Sequence, residues 1–129
     1  MIEQEVAQAL MGKPYLSVTT YKRDGRGVAT LVWFVIEEGR VYFRAPAASG
    51  KVKRIRANAT VLFFACDRDG RRLGPSFRGE ARVLPREERS RPHTKLLGKY
   101  GLVSRLFALT FILPGRQEAF VEVTPLART

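Results

Sequence analysis

Segment 49–56, with the sequence SGKVKRIR, places four cations beside a serine and a glycine. Serine is a favoured first residue of a helix, and the first turn of a helix offers unpaired amide groups and a partial positive charge. Gly50 would let an anion approach that backbone, while Lys51 and Arg54 would add full charges to it. The segment therefore predicts a phosphate site at the start of a short helix, with a solvated basic helix face as the alternative.

The net charge of the whole chain also favours anionic ligands. Its 129 residues include 23 Lys and Arg against 12 Asp and Glu, which gives +11 at neutral pH. Such an excess attracts nucleic acid, acidic lipid or phosphorylated small molecules. Charges that are merely solvated would explain the total, although they explain the local cluster at 49–56 less well.

Side chains that could transfer protons or bind metal are few. The chain has one histidine, His93, and one cysteine, Cys66, which closes an apolar run and is interpreted as a buried strand residue. No group of His, Cys and Asp has metal-ligand spacing, and a Ser-His-Asp triad cannot be argued from one histidine. Tyr15, Tyr21 and Tyr100 are possible proton donors but are more simply explained by packing, so the catalytic residue stays unassigned.

The elements that must position these residues are mostly strands. Six segments of alternating or continuous apolar residues predict them: YLSVTTY, GVATLVWFVIEE, RVYFRA, TVLFFACD, PSFRGEARVL and QEAFVEVTPL. Turn signals join neighbouring strands into hairpins at Asp24-Gly25, Glu38-Gly39 and Asp69-Gly70. Helices are predicted at EQEVAQALMG, after Ser49, and as two short pieces within 86–111. A single domain over 1–129 follows, a mainly β, six-stranded antiparallel barrel with capping helices whose closure hides the sheet edges.

The chain shows no sign of a membrane location. No apolar run approaches the ~20 residues that a helix needs to cross a bilayer. The N-terminal MIEQEVAQALM carries acids where a signal peptide would carry positive charge. We expect a cytoplasmic protein without a membrane partner, and its single cysteine is compatible with a reducing compartment.

The order of three segments resembles a known family. TLVWF at 30–34, YFRA at 42–45 and SGKVKRIRANATV at 49–61 are similar to the pyridoxamine-phosphate-oxidase-like split β-barrel proteins, and to their small deazaflavin (coenzyme F-420) dependent branch. CDRDGRRLGPSFRGEARVL and KYGLVSRLF are similar to one subgroup of that branch, whose substrate is unknown. The resemblance covers roughly residues 12–125 and implies a six-stranded split barrel of the FMN-binding type.

The resemblance also implies where a cofactor would bind, in a homodimer with two sites at the subunit interface. The phosphate-binding turn of the family corresponds to Ser49, Gly50 and Lys51, with Arg54 as a second cation. The strand positions that lie along the flavin or deazaflavin ring correspond to Leu31, Val32 and Trp33. The pair that leads into the phosphate loop corresponds to Arg44 and Ala45.

On this resemblance we expect an oxidoreductase that transfers a hydride between reduced F-420 and an unidentified small organic substrate. Vitamin oxidases of the family carry an arginine and a lysine where this chain has Ala29 and Phe34, which favours F-420 with its anionic tail. Ala45 also stands where a threonine is common. The alternative is an FMN-binding oxidoreductase or cofactor carrier on the same barrel. A nucleic-acid-binding small barrel is a more distant alternative, and no nucleic-acid partner is expected because the arginines are scattered along the chain.

Overall fold

Antiparallel strands dominate the computed structural model, which describes residues 1–84 and 118–129. In those residues, two helices, α1 (Ile2–Leu10) and α2 (Gly50–Ala57), accompany seven strands. The strands are β1 (Tyr15–Tyr21), β2 (Gly27–Val32), β3 (Phe34–Glu37), β4 (Arg40–Pro46), β5 (Thr60–Cys66), β6 (Phe77–Val83) and β7 (Glu118–Arg128). They form one antiparallel sheet in the order β2-β1-β5-β6-β7-β4-β3.

The two edge strands of this sheet, β2 and β3, are consecutive in the chain and separated only by Trp33. β2 pairs with β1 up to Val32 opposite Leu16, and β3 pairs with β4 from Phe34 opposite Phe43. One continuous segment, 27–37, thus joins the two ends of the sheet and closes it into a barrel. The predicted mainly β barrel is confirmed, with the single long strand GVATLVWFVIEE divided at Trp33, so that seven strands stand where six were predicted.

Alternation along the strands separates an inner face, which forms the main core, from an outer face. Four inner phenylalanines are at most 1% exposed: Phe34, Phe43, Phe63 and Phe77. Gly79 lies against this cluster, since a Cβ there would approach Phe63 to 3.0 Å and Val123 to 2.7 Å. The absence of a side chain at Gly79 therefore lets β6 pack directly on the aromatic core.

The predicted hairpin turns are confirmed. Gly25, Gly39 and Gly70 have φ angles of 88°, 77° and 84°, a left-handed conformation that glycine adopts at little cost. Glu38 precedes Gly39 with a φ of 53°, as expected for a two-residue hairpin loop whose central residues are both left-handed. Because turn geometry sets strand register, these turns determine which side chains meet at the cleft described below.

The two helices predicted within the described residues are confirmed. Val6 and Leu10 of α1 are 0% exposed and pack against the core. Ser49 is the N-cap of α2, and its Oγ accepts a hydrogen bond from the Val52 amide at 3.4 Å. Val52 and Ile55 face inward, at 0% and 3% exposure. The basic side chains of α2 are therefore left on its other faces.

Two predicted short helices within 86–111, together with His93 and Tyr100, lie outside the described residues. Within 1–84 and 118–129, no helix combines the length and the apolar character that spanning a bilayer requires. Cys66, predicted to be a buried strand residue, is 0% exposed at the end of β5. Burial raises the pKa of its thiol, and the charge of Asp67 raises it further.

Candidate functional site

A cleft opens where segment 27–37 leaves β1 and joins β4. Val32 is the last residue paired with β1, and Phe34 is the first paired with β4. The cleft has a volume of about 340 Å³, within the range of about 300–1,000 Å³ that is typical of small-molecule sites. Its lining consists of Tyr15, Leu31, Val32, Trp33, Arg44, Ala45, Pro46, Lys51 and Arg68.

Most of the residues predicted to bind a cofactor meet in this cleft. Those that line it are Leu31, Val32, Trp33, Arg44, Ala45 and Lys51. They come from the β2–β3 junction, the end of β4 and the first turn of α2, which are separate in sequence. The other three, Ser49, Gly50 and Arg54, belong to the start of α2 but are not among the lining residues.

Lys51 is a half-buried cation in the first turn of α2. Burial lowers the pKa of its ammonium group from the usual 10.5, and the nearby charge of Arg54 lowers it further. The two causes act in the same direction, because the charged form loses water on burial and also meets a like charge. An anion in the cleft would stabilise the charged form of Lys51, so the electrostatics of this end of the cleft favour an anionic group.

Arg54 folds back along α2 toward the start of the helix. Its Nε donates a hydrogen bond to Thr20 Oγ1 of β1 at 2.6 Å. A Cβ on Gly50 would lie 2.7 Å from Arg54 Nη1, so the absence of a side chain at Gly50 makes room for the guanidinium. Arg54 therefore adds positive charge beside Lys51 while its own side chain is held by β1.

The middle of the cleft is apolar. Leu31 is 41% exposed and Trp33 is half-buried, while Val32 is 6% exposed. Ala45 is 2% exposed and packs against Val52 of α2. A flat apolar group could lie along the β2–β3 junction with its charged end toward Lys51.

A further basic residue of the cleft lining lies next to Ala45. Arg44, on β4, is 6% exposed. Ala29 is exposed on β2, and Phe34 belongs to the core, so neither position supplies a cation to the cleft. Within 1–84 and 118–129, no group of three or more His, Cys, Asp or Glu side chains could hold a metal ion.

Three lining residues were not assigned to the site from the sequence: Tyr15, Pro46 and Arg68. Tyr15 is paired with Cys66 across β1 and β5, and Arg68 follows Cys66 by two residues. This register brings Tyr15 and Arg68 to the same end of the cleft. The signal that could have found them is the Asp69-Gly70 turn, but its use requires knowing that β5 pairs with β1.

A hydrogen-bonded turn presents Arg68. The Asp67 carboxylate accepts hydrogen bonds through Oδ1 from the amides of Asp69 and Arg71, both at 2.9 Å. Such bonds from an aspartate to the following backbone fix the conformation of a turn. Arg71 and Arg72 belong to the same turn but do not line the cleft. The turn therefore holds Arg68, rather than its basic neighbours, at the site.

A second charged cluster lies on the outer face of the sheet, and we name its members, Arg40, Tyr42, Arg82 and Glu122, the outer carboxylate cluster. Glu122 of β7 is directly opposite Tyr42 on β4 and Arg82 on β6. Tyr42 Oη donates to Glu122 Oε2 at 2.9 Å, Arg82 Nη2 lies 3.2 Å from Oε1, and Arg40 Nη1 lies 3.6 Å from Oε2. Burial, followed by the hydrogen bond to Glu122, raises the pKa of Tyr42 to about 12.

Sequence comparison assigns the chain to a family. Residues 2–108 match the sequence profile of a family described as pyridoxamine 5′-phosphate oxidase. This match extends over most of the chain and includes every residue of the cleft. No curated protein matches the chain in sequence.

Solved structures share the fold. A conserved hypothetical protein from Mycobacterium tuberculosis has a TM-score of 0.73 at 22% identity, over 100% of this chain and 82% of that chain. HutZ, described as a heme storage protein from Vibrio cholerae, has a TM-score of 0.73 at 13% identity, over 98% and 94% of the two chains. A protein described as an F-420 reductase has a TM-score of 0.67 at 19% identity, over 95% and 94%. The TM-scores show a common fold, and at identities this low the likeness shows the fold alone.

Proposed function

The chain belongs to the pyridoxamine 5′-phosphate oxidase family, and we propose that its cleft binds coenzyme F-420 in an oxidoreductase acting on a small organic molecule. When bound, F-420 supplies a hydride donor or acceptor. The observation that carries the proposal is the half-buried Lys51, whose pKa is lowered by burial, at one end of an apolar cleft. Such a cation is stabilised by an anionic group of a ligand that also fills the apolar part.

The residues present fit a flat cofactor with an anionic end. Lys51 would hold the phosphate, with the amides of the first turn of α2 and the guanidinium of Arg54 adding positive potential. Leu31 and Trp33 would pack against the ring, Val32 and Ala45 would limit its depth, and Arg44 would lie beside it. These side chains would also exclude water from the reacting face, which hydride transfer requires.

The charge of α2 favours F-420 over FMN. FMN ends in one phosphate, whereas F-420 continues into a tail with several carboxylates. Lys53 and Arg56 are exposed on α2 and extend the positive potential beyond what one phosphate needs. Each exposed contact to the tail contributes about 0–1 kcal/mol and weakens as salt rises.

Fold alone does not choose among the possible ligands. Neighbours with this fold include a protein described as an F-420 reductase and one described as a heme storage protein. Function is carried by the site rather than by the barrel. Hemin is therefore a useful third ligand beside F-420 and FMN in any binding test.

A homodimer and a cytoplasmic location stay predictions. Segments LVWFVI and AFVEV are rich in apolar residues, but Val35 and Phe120 within them are only 5% and 4% exposed in the single chain. At the cleft, Leu31 is 41% exposed. A stable dimer with shared sites should bury more than about 2,000 Å². Sedimentation at micromolar concentration measures the oligomeric state, and a monomer would contradict the shared site.

The test of the proposed function is a titration of purified apo-protein with F-420, FMN and hemin, followed by the absorbance or fluorescence of each ligand. We expect F-420 to bind more tightly than FMN at low ionic strength, with the difference shrinking as salt is added, because exposed contacts to the tail are screened. Changing Lys53 and Arg56 together to alanine should reduce that difference and leave FMN binding in place. If FMN co-purifies and F-420 cannot displace it at low salt, FMN replaces F-420 in the proposal.

A further inference from the structure

The end of the barrel formed by the β1–β2 turn carries exposed basic side chains. Lys22, Arg23 and Arg26 are all exposed in this turn. Asp24 is the acid of the same turn, and its Oδ2 lies 2.7 Å from Arg26 Nε. Lys22 and Arg23 form no ion pair within the part of the chain that the structure describes. Because Arg26 compensates Asp24, the turn keeps the positive charges of Lys22 and Arg23.

Strand pairing places α2 beside this turn. β1 and β5 are antiparallel with Thr19 opposite Leu62, so the start of β5 lies level with the end of β1. Helix α2 ends at Ala57, shortly before β5 begins, and Arg54 Nε donates to Thr20 Oγ1 of β1 at 2.6 Å. The exposed face of α2 is therefore a neighbour of the β1–β2 turn.

That exposed face of α2 adds two cations. Lys53 and Arg56 are both exposed, and residues three apart lie on one side of a helix. No acidic residue occurs in α2. An exposed acid at this end of the barrel is Glu80 of β6, opposite Thr60 at the start of β5. Among the described residues, cations therefore outnumber acids on this surface.

We propose that Lys22, Arg23, Lys53 and Arg56, named here the basic end, bind the phosphate backbone of a nucleic acid without sequence preference. The sequence alone gives no reason to expect such a partner, because its cations are scattered, whereas strand pairing brings these four together. Each phosphate carries a negative charge, and its contact with a cation releases counterions. A second copy of this chain is disfavoured as the partner, since its net charge of +11 repels this surface.

The basic end is separate from the cleft. None of its four cations is a lining residue of the cleft, whereas Tyr15, at the start of β1, is one. A strand rises ~3.3 Å per residue, which puts roughly 20 Å between the start of β1 and the turn that follows it. The inference therefore does not rest on the proposed function. Lys22 and Arg23 test it best, because Lys53 and Arg56 would also serve the F-420 tail.

The side chains of the basic end favour nucleic acid over a lipid surface. A peripheral protein that inserts into a bilayer combines cations with apolar side chains that enter the acyl region. The exposed large apolar residues of the described chain lie elsewhere: Met1, Met11, Leu31, Leu73 and Leu126. Tyr21, at the base of the turn, is half-buried, which leaves it poorly placed to stack on bases. Contact with the phosphate backbone is the mode that suits this composition.

The experiment is a fluorescence-anisotropy titration of a labelled DNA duplex of about 20 base pairs, at about 50–200 mM salt. We expect binding that weakens steeply as salt rises, with equal affinity for a duplex of unrelated sequence. Changing Lys22 and Arg23 together to alanine should weaken binding roughly fivefold or more at low salt. The same change should lower the slope of log affinity against log salt by about 1–2, because two phosphate contacts are lost. Lys22→Arg combined with Arg23→Lys keeps both charges and should preserve binding.

The matched control is Arg71→Ala combined with Arg128→Ala, which removes the same charge from two exposed positions. Arg71 lies in the turn that follows β5, whose last residue, Cys66, pairs with Tyr15 at the far end of β1. Arg128 is opposite Phe77 at the start of β6. Both positions are away from the basic end, so this variant should change duplex affinity by less than about twofold.

Equal losses of affinity in the two double-alanine variants would show that net charge, rather than this surface, attracts the duplex, and would overturn the inference. Absence of salt-dependent binding by the unaltered protein would do the same. If the protein sediments with phosphatidylserine vesicles in preference to the duplex when both are present, the surface belongs to lipid and the inference is wrong. F-420 affinity should be unchanged in the variant that lacks Lys22 and Arg23; its loss would assign the turn to the cofactor instead.

Discussion

The cleft and the outer carboxylate cluster both gather cations, but they differ in what faces those cations. In the outer carboxylate cluster, Glu122 accepts a hydrogen bond from Tyr42 and forms ion pairs with Arg40 and Arg82. In the cleft, the described lining residues include basic side chains and no carboxylate, and the pKa of Lys51 is lowered. Removing one partner from a compensated cluster destabilises the folded chain, whereas desolvation of the Lys51 charge reduces stability until a ligand arrives. The comparison separates charges that pair within the fold from the charge of Lys51, which we propose serves binding.

The largest effect expected from this comparison is on stability. Glu122→Ala should lower the free energy of unfolding by about 2–4 kcal/mol, somewhat below the range for a fully buried pair because both arginines are about half exposed. Glu80→Ala is the matched control, an exposed glutamate on β6, and should change stability by less than about 0.5 kcal/mol. Urea unfolding measures both. Equal effects of the two substitutions would show that the outer carboxylate cluster contributes no more to stability than an exposed glutamate does.

Lys51→Ala should have the opposite pattern: it should weaken ligand binding and leave the stability of the folded chain unharmed. Loss of a charged phosphate partner costs on the order of 1.5–3 kcal/mol, so F-420 affinity should fall roughly tenfold or more. Lys53 is exposed on the same helix, and Lys53→Ala should reduce F-420 affinity by about fivefold or less. The midpoint of thermal unfolding of the apo-protein should stay level or rise, since a desolvated charge is removed. A marked loss of apo-protein stability with unchanged F-420 affinity would place Lys51 among the residues that maintain the fold.

The smallest expected effect is on how the free energy of unfolding changes at alkaline pH. The change should have opposite signs for Tyr42 of the outer carboxylate cluster and Lys51 of the cleft. The pKa of Tyr42 is raised to about 12, so the folded state keeps this proton to a higher pH than the unfolded state. The contribution of Tyr42 to the stability of the folded chain is therefore lost as pH rises from about 10 to about 12. The lowered pKa of Lys51 means that the folded state binds less proton, so stability rises with pH up to about 10.5. Tyr42→Phe should flatten the fall in stability above pH 10, and Lys51→Met should flatten the rise below it. The measurement is the unfolding midpoint of each variant across this pH range. Identical pH profiles for the two variants would contradict the opposite effects assigned to Tyr42 and Lys51.

Local signals in the sequence predicted the fold well because they act over short distances. The N-cap at Ser49 and the glycine turns both depend on near neighbours, and the structure confirms them. The division of the long strand at Trp33 was not predicted, since a continuous apolar run carries no mark of the point where its pairing partner changes.

The candidate site was predicted only on one side. Residues on β2, β4 and α2 could be assigned because their segments resemble a family in order and spacing. Tyr15 and Arg68 could not, since they meet only through the register of β1 with β5, which pairs Tyr15 with Cys66. That register is a long-range property, and neither residue type is unusual in its own segment.

The central position of β7 bears on how the barrel is made during synthesis. This strand lies between β6 and β4, yet it follows every other described strand in the chain. While a ribosome has released only residues 1–84, β6 and β4 have no partner to connect them, and the two halves cannot be joined into one sheet. Closure must wait until residues 118–128 emerge, so the exposed strand edges of the nascent chain need protection from aggregation until then.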